Sequence, residues 1–487
     1  MPIIKPKPYC TIPGPKAYPI IGTLYNYLGK NKKYDLNRLH RNGLSKYKEY
    51  GPIVKERFPF GRDVVWLFDP EDIKSLFNND AEYPIRRSHL ALEHYRKNKP
   101  EIYNNGGLLP TNGVEWWNLR QSAQKPLSKT EFYLQDMDDI AKEFVKMISE
   151  RDEHTFRNDN FLEELKKYFL EVAGMFTLGV RLHAIRKSLS NTSAPYKLID
   201  AAFSTNSNIL PTDNGLMLWK LFETKHYKEI RRGQEFIETV IKDHYQSMCN
   251  GNNDDKKGLL YHYLSNDQLD IKDSLALAAD MLLAAIDTSS YTTGFLLYEI
   301  ATHKRFQDSL CHEIDLIYSQ NTIQNNYSAI FDSIKKFTMG KNALKESLRL
   351  HPVSVGTSRA LEKDAVFSGY HVPKGTLLVT QNQVTSRLKQ FFPSENPDEF
   401  NPDRWMRRTD DDASSLKPHS HLSLPFGHGK RACIGRRMAE QSIHVLMFRF
   451  FQTYKIEWVG KENLDCKSLL INEPDSNLEF VIRKRKT

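Results

Sequence analysis

Apolar residues recur at three- and four-residue spacing, with charges between them, along "DMDDIAKEFVKMISE" (136–150), "LEELKKYFLEVAGMFTLGV" (162–180) and "KEIRRGQEFIETVIKDHYQSM" (228–248). That period places the apolar side chains on one face of an amphipathic helix. "RRMAEQSIHVLMFRFF" (436–451) reads the same way. Strand-like runs are short and lie toward the ends: "DVVWLFD" (63–69), "GTLLVTQ" (375–381) and "LEFVIRK" (478–484). "CNGNNDDKKG" (249–258) and "RRTDDDASSLK" (407–417) have loop composition. No internal repeat and no clear domain linker interrupts the pattern. The expectation is a mainly α fold with a minor β part, built as an N-terminal segment over 1–30 and one large domain over 31–487.

The strongest apolar stretch, "LALAADMLLAAI" (275–286), carries Asp280. It is shorter than the roughly 20 residues that cross a bilayer, so it predicts no transmembrane span. The first residues, "MPIIKPKPYCTIPGPK", are basic, acid-free and proline-rich. They fit the stub of a mitochondrial presequence, a short membrane-surface contact or a flexible terminus. The formal net charge is +9, with Lys and Arg spread along the chain rather than in a long run. Such a balance favours an acidic protein or an anionic membrane over nucleic acid. The five cysteines, Cys10, Cys249, Cys311, Cys433 and Cys466, form no CxxC pair. Their odd number and wide spacing argue against a disulfide framework and a structural zinc site, and fit a reducing compartment.

One cysteine stands apart. In "PFGHGKRACIG" (425–435), Cys433 lies among glycines and basic residues, just before the predicted helix. Gly427 and Gly429 allow a backbone path that a side chain would obstruct, and Gly435 would let the chain pack closely as the helix begins. Helix N-termini favour a thiolate, and Lys430 and Arg431 add positive charge. The stretch therefore suits sulfur as an anion, whether nucleophile or metal ligand. A buried free cysteine is the plainer alternative. A nucleophile would need a paired histidine, which the nearness of His428 does not by itself supply.

The pattern Phe426–x–x–Gly429–x–Arg431–x–Cys433–x–Gly435 resembles, at every fixed position, the haem-binding loop of the cytochrome P450 family. The resemblance implies haem b as cofactor and the Cys433 thiolate as ligand of its iron, a ligand whose electron donation favours O–O cleavage. It further implies that Phe426 shields the sulfur and that Arg431 binds a haem propionate. Other family motifs follow in order. "KESLRLHP" (345–352) supplies Glu346 and Arg349 at i,i+3, and "FNPDRW" (400–405) adds Arg404 as the third member of a buried structural group, with Asp403 in place of the usual Glu. "AAIDTSS" (284–290) resembles the oxygen-binding segment of a long central helix over the haem. There Ala284 would line the haem, and Asp287 with Thr288 would relay protons. Ala285 stands where the family usually has Gly. Trp116, Arg120 and Arg359 would reach the propionates. "IPGP" (12–15) matches the proline-rich lead into the first β element.

The chain most resembles the mitochondrial branch. No N-terminal membrane helix is evident, and that branch draws electrons from a small acidic 2Fe–2S ferredoxin. Lys341, Lys345, Arg436 and Arg437 would form the basic face that such a partner needs. Segments 38–58, 66–73, 83–100 and 104–117 resemble arthropod ecdysteroid 22-hydroxylases. This implies hydroxylation of a steroid side chain with O2 on the path to ecdysone, by an enzyme touching the matrix side of the inner mitochondrial membrane. Substrate contacts are expected near 104–114, Ala284, the segment after His351, and 470–472. Two alternatives stand beside it: a broad-pocket detoxifying monooxygenase, and a haem-thiolate isomerase or sensor that leaves dioxygen alone. Asp287 and Thr288 argue against the last.

Overall fold

The helical periodicity becomes fifteen α-helices among the described residues, in a computed structural model describing residues 5–485 apart from 151–154, 187, 215–216, 252–256, 321–326, 394 and 407–418. In chain order they are α1 (Leu39–Tyr50), α2 (Pro70–Asn78), α3 (Leu90–Lys97), α4 (Gly113–Leu127), α5 (Leu134–Ser149), α6 (Phe161–Leu178), α7 (Ala194–Asn214), α8 (Lys225–Cys249), α9 (Gly258–Leu264), α10 (Ile271–Thr302), α11 (Lys304–Gln320), α12 (Tyr327–Lys336), α13 (Thr338–Leu350), α14 (Asn382–Thr385) and α15 (Arg436–Thr453). The strands are β1 (Ile53–Phe58), β2 (Arg62–Leu67), β3 (Thr155–Asn158), β4 (Ser358–Ala360), β5 (Ala365–Phe367), β6 (Tyr370–Val372), β7 (Leu377–Thr380), β8 (Tyr454–Trp458), β9 (Cys466–Ser468), β10 (Asn472–Pro474) and β11 (Phe480–Lys484).

Boundaries follow local chemistry. The strand expected over 63–69 stops at Leu67, because the Asp69 side chain accepts the Glu71 and Asp72 N–H groups and caps α2, with Pro70 at its first turn. α6 ends where Gly179 turns left-handed at φ 79°. The helix expected over 228–248 begins earlier, at Lys225, capped by the Thr224 side chain. The polar stretch 407–417 lies outside the described residues.

The principal sheet has order β1-β2-β7-β4, with β2 parallel to β7. Two segments more than 300 residues apart thus share one ladder. Ile12 packs into the same apolar cluster as Ile53, Val65 and Leu378, and Lys55 N–H donates to Pro13 O at 2.8 Å. A second sheet joins β3, β11 and β8 near the C-terminus.

α10 runs through the centre and packs on α6, α7, α8, α9 and α13. The apolar run 275–286 is its first half, and the run's only charge, Asp280, is fully buried. Among the described residues no helix is long and apolar enough to cross a membrane.

Candidate functional site

A cavity of about 1020 Å³ opens between α10 and the 425–435 loop. α10 contributes Ala284, Ala285 and Thr288, α4 contributes Trp116 and Arg120, and the loop contributes Phe426, Arg431 and Cys433. Leu108, Leu109, Val353 and the 469–471 turn supply apolar wall.

Cys433 reaches this space through a tightly folded loop. Its N–H donates to Phe426 O at 2.8 Å, closing the chain on itself. Gly427 and Gly429 sit at φ 71° and 72°, a left-handed conformation that L side chains rarely adopt. Close approach is not what requires these glycines; their φ is. At Gly435 the expectation of close packing fails: φ is −86°, and nothing lies within 4 Å of where a side chain would start. α15 begins at the next residue, Arg436. Burial raises the Cys433 thiol pKa, while the Gly435 N–H, Arg120 and Arg436 act against it. Phe426 lines the cavity beside Cys433, and the Arg436 guanidinium lies 5.2 Å from its ring centre.

The other cysteines lie elsewhere. Cys466 is buried in β9, with Sγ 3.3 Å from His40 Nδ1 and 3.5 Å from Gln383 Oε1. Cys311 is buried against Phe451 O, and Cys10 and Cys249 are exposed. None of these four lines the cavity.

Cationic groups crowd one side of the cavity. Arg431 donates from Nε to Pro84 O at 2.6 Å and from Nη2 to Thr111 O at 2.7 Å, and its guanidinium stacks 3.9 Å from the Trp116 ring centre. Burial, then Arg86, Arg359 and Arg120, hold its pKa down to about 9. Arg86 is held to about 10 by burial and Arg359, and its Nε has no hydrogen-bond partner. Arg120 is buried and donates to Gln124 Oε1 at 3.3 Å. Arg359 pairs with Asp80 at 2.9 Å. Four guanidinium groups thus share this region, and Asp80 is the carboxylate paired with one of them. Arg86 escaped sequence reasoning because nothing in "PIRRS" separates it from its exposed neighbour Arg87.

On α10, Asp287 and Thr288 are neighbours in sequence but face different ways. Thr288 lines the cavity and its hydroxyl donates to Ala284 O at 2.6 Å. Asp287 is fully buried, does not line the cavity, and accepts a 2.9 Å hydrogen bond from Asn206 Nδ2 of α7. Burial pushes its carboxyl up to about 6, with the Asn206 bond opposing. Asn206 itself lines the cavity, so it stands between the acid and that space. No motif signalled Asn206; its place depends on how α7 crosses α10.

Further from the cavity, Glu346, Arg349 and Arg404 converge. Arg349 donates from Nε and Nη2 to the two Glu346 oxygens at 3.0 and 2.8 Å, and Arg404 Nε donates to Oε1 at 2.9 Å. Trp405 Nε1 and the Asn401 N–H complete the carboxylate's shell. All three charged residues are buried, and the pairing holds Glu346 below its ordinary pKa despite burial. An i,i+3 pair alone gives no hint of this; on most helices it is solvated.

Lys341 and Lys345 lie on α13, which packs against α15. Both lysines lower the pKa of buried His444 on α15, after burial itself, to about 3. Arg436 and Arg437 are exposed at the start of α15.

The cytochrome P450 family model matches residues 12–480. This chain belongs to the cytochrome P450 family. Cytochrome P450 302a1, mitochondrial, of Drosophila melanogaster is 42% identical over 488 residues, covering 99% of this chain and 96% of that protein. Probable cytochrome P450 301a1, mitochondrial, of the same fly is 28% identical, covering 98% of this chain and 87% of that one. Ecdysone 20-monooxygenase, also from Drosophila melanogaster, is 26% identical, covering 97% and 88%. The protein is thus a P450 monooxygenase with haem b as cofactor. The residues present fit that group. The cavity offers one thiol, open space beside Gly435, an unpartnered donor at Arg86 Nε and an excess of cationic groups with Arg431 among them, suited to the two haem carboxylates.

Proposed function

We propose that this P450 hydroxylates a steroid side chain, at the 22-position of an ecdysteroid precursor, with electrons from an acidic 2Fe–2S ferredoxin. The carrying observation is the single cavity that joins Cys433, Ala284 and Thr288 to a wall of Leu108, Leu109, Met281, Val353 and Leu470. Its volume, about 1020 Å³, lies at the top of the range for ligand sites, as expected where a prosthetic group and a bulky apolar ligand share one space. The likeness to two fly proteins named as mitochondrial, and to one named ecdysone 20-monooxygenase, supports the compartment and the steroid class.

In this reading Cys433 holds the haem iron, Arg86, Arg120, Arg359 and Arg431 with Trp116 hold its carboxylates, and Phe426 shelters the sulfur. Bound haem supplies reductive activation of dioxygen for insertion into a C–H bond. The protein's own work is positioning and proton supply. The Thr288 hydroxyl, resting on Ala284 O, swings to donate toward the cavity. Asp287, raised by burial to about 6, would refill it by way of solvent admitted past the Asn206 side chain, which borders both acid and cavity. Ala285 narrows the same groove by one methyl group. The apolar wall excludes bulk water and orients the substrate.

Lys341 and Lys345 on α13 and Arg436 and Arg437 on α15 form the ferredoxin face; the two helices pack together, and α15 begins three residues after Cys433. Membrane contact comes from Ile20, 75% exposed, with Ile21 and Leu28, and from Leu221, 82% exposed, with Phe222. Leu24 and Leu36 near the first segment, and Asn214 and His226 flanking the second, all line the cavity, so both groups adjoin its wall. That arrangement lets an apolar steroid enter from lipid on the matrix side of the inner mitochondrial membrane.

The test is titration of the ferric holoenzyme with 2,22-dideoxyecdysone, following the Soret band. A saturable low-to-high-spin shift, and a 22-hydroxylated product with ferredoxin, is the expected result. No shift with this steroid, but shifts with many unrelated apolar compounds, would replace the steroid reading with the detoxifying one.

A further inference from the structure

Asp280 and Arg96 form an ion pair at 2.7 Å with neither side chain exposed to any degree. Pairs of this kind repay their desolvation poorly, so packing stability alone does not account for one in the middle of α10. What the pair holds is informative. Asp280 Oδ2 accepts the Leu108 N–H at 2.6 Å and the Leu109 N–H at 3.3 Å. Arg96 Nη1 donates to Gly106 O at 2.9 Å, and Nη2 reaches Gln234 Oε1 of α8 at 3.0 Å. The Tyr103 ring covers the guanidinium, and Tyr103 and Tyr95 both donate to Glu238 of α8 at 2.8 Å. Gly107, at φ 83°, passes so close that any side chain there would strike Arg96 and Asp280.

We propose that the Asp280–Arg96 pair is a specificity-determining clamp, which fixes the Leu108–Leu109 wall of the substrate cavity against α10 and α8. This rests on reading the cavity as the substrate site. The clamp engages the Leu108 and Leu109 N–H groups and Gly106 O, and of these loop residues only the Leu108 and Leu109 side chains line the cavity. Asp280 precedes Thr288 by eight residues, about 12 Å along the helix. The clamp therefore sets how far from Thr288 a bulky ligand extends before it meets the wall. Neither residue touches substrate; both act by position.

The experiment uses haem-loaded Asp280→Asn and Arg96→Lys, titrated with imidazole and with clotrimazole, two nitrogen ligands of haem iron that differ in bulk and do not depend on the steroid reading. The clamp predicts that the imidazole Kd stays within about twofold, while the clotrimazole Kd rises about tenfold or more, the scale of losing hydrogen bonds to a charged group. Equal Kd values for both ligands relative to wild type, or equal weakening of both, would overturn the proposal. Hydrogen exchange on the wild-type holoenzyme decides independently if the variants fail to hold haem. Leu108 and Leu109 amides protected as strongly as α10 support the clamp, and exchange at the rate of an open loop removes it. Loss of steroid binding with the azole contrast intact would sink the steroid reading alone.

Discussion

Asn206 Nδ2 of α7 donates to Asp287 Oδ2 of α10 at 2.9 Å, and the second Asp287 oxygen has no partner. An acid held near pH 6 by burial is thus tethered to a helix that borders the cavity. Asn206→Ala removes the one bond that favours the charged form, so the Asp287 pKa rises further. The alkaline limb of the pH–rate profile, where a proton donor is lost, is expected to move to higher pH. An unmoved limb would take Asp287 out of the proton path.

The same carboxyl links pH to stability. Its folded pKa of about 6 exceeds the ordinary 3.8, so its penalty is absent below 3.8, accrues as pH rises toward 6, and is full above 6. Asp287→Asn lifts that penalty. Thermal unfolding of the holoenzyme should show the variant more stable at pH 7.5, by about 3 kcal/mol, with the gap shrinking as pH falls through 6. Product formation should fall about tenfold or more at the same time.

Burial would favour Cys466 as the thiolate, but Cys433, exposed to the cavity, is the cysteine that lines it. Cys433→Ala is expected to abolish the thiolate spectrum of the carbon monoxide complex. Cys466→Ala should leave that spectrum in place and lower stability by about 1–2 kcal/mol, through lost packing beside His40 and Gln383. The reverse pattern would transfer the ligand assignment.

Glu346 neutralises two buried arginines. Glu346→Ala leaves Arg349 without a carboxylate partner and Arg404 with Glu395 alone, a loss of about 3–5 kcal/mol for a buried charge stripped of its partner. Chemical denaturation and the yield of haem-loaded protein check this. Glu346→Asp, which keeps the charge, should recover part of the loss.

Charge reversal at Lys341 and Lys345 should raise the KM for ferredoxin and reduce its salt dependence, while the substrate Kd stays nearly constant. An unchanged KM would remove both lysines from the interface.

The sequence by itself determined several of the helices and set Cys433 apart from the other cysteines. Helical periods over 136–150, 162–180 and 436–451 became α5, α6 and α15 with shifts of a few residues, because amphipathic spacing is local and strong. The loop around Cys433 was legible because positive φ at Gly427 and Gly429 and the helix start at Arg436 are written in consecutive residues. Only the tertiary structure decided the rest. Two adjacent residues on α10 lie roughly 100° apart around the helix, so Thr288 meets the cavity while Asp287 turns to Asn206. The arginine excess exists because Arg86, Arg120, Arg359 and Arg431 arrive from four separate segments, each an ordinary surface-type residue in its own neighbourhood. Sequence spacing governs which side chains share one element's face. Which faces meet depends on packing between distant elements, and the cavity is made of those meetings.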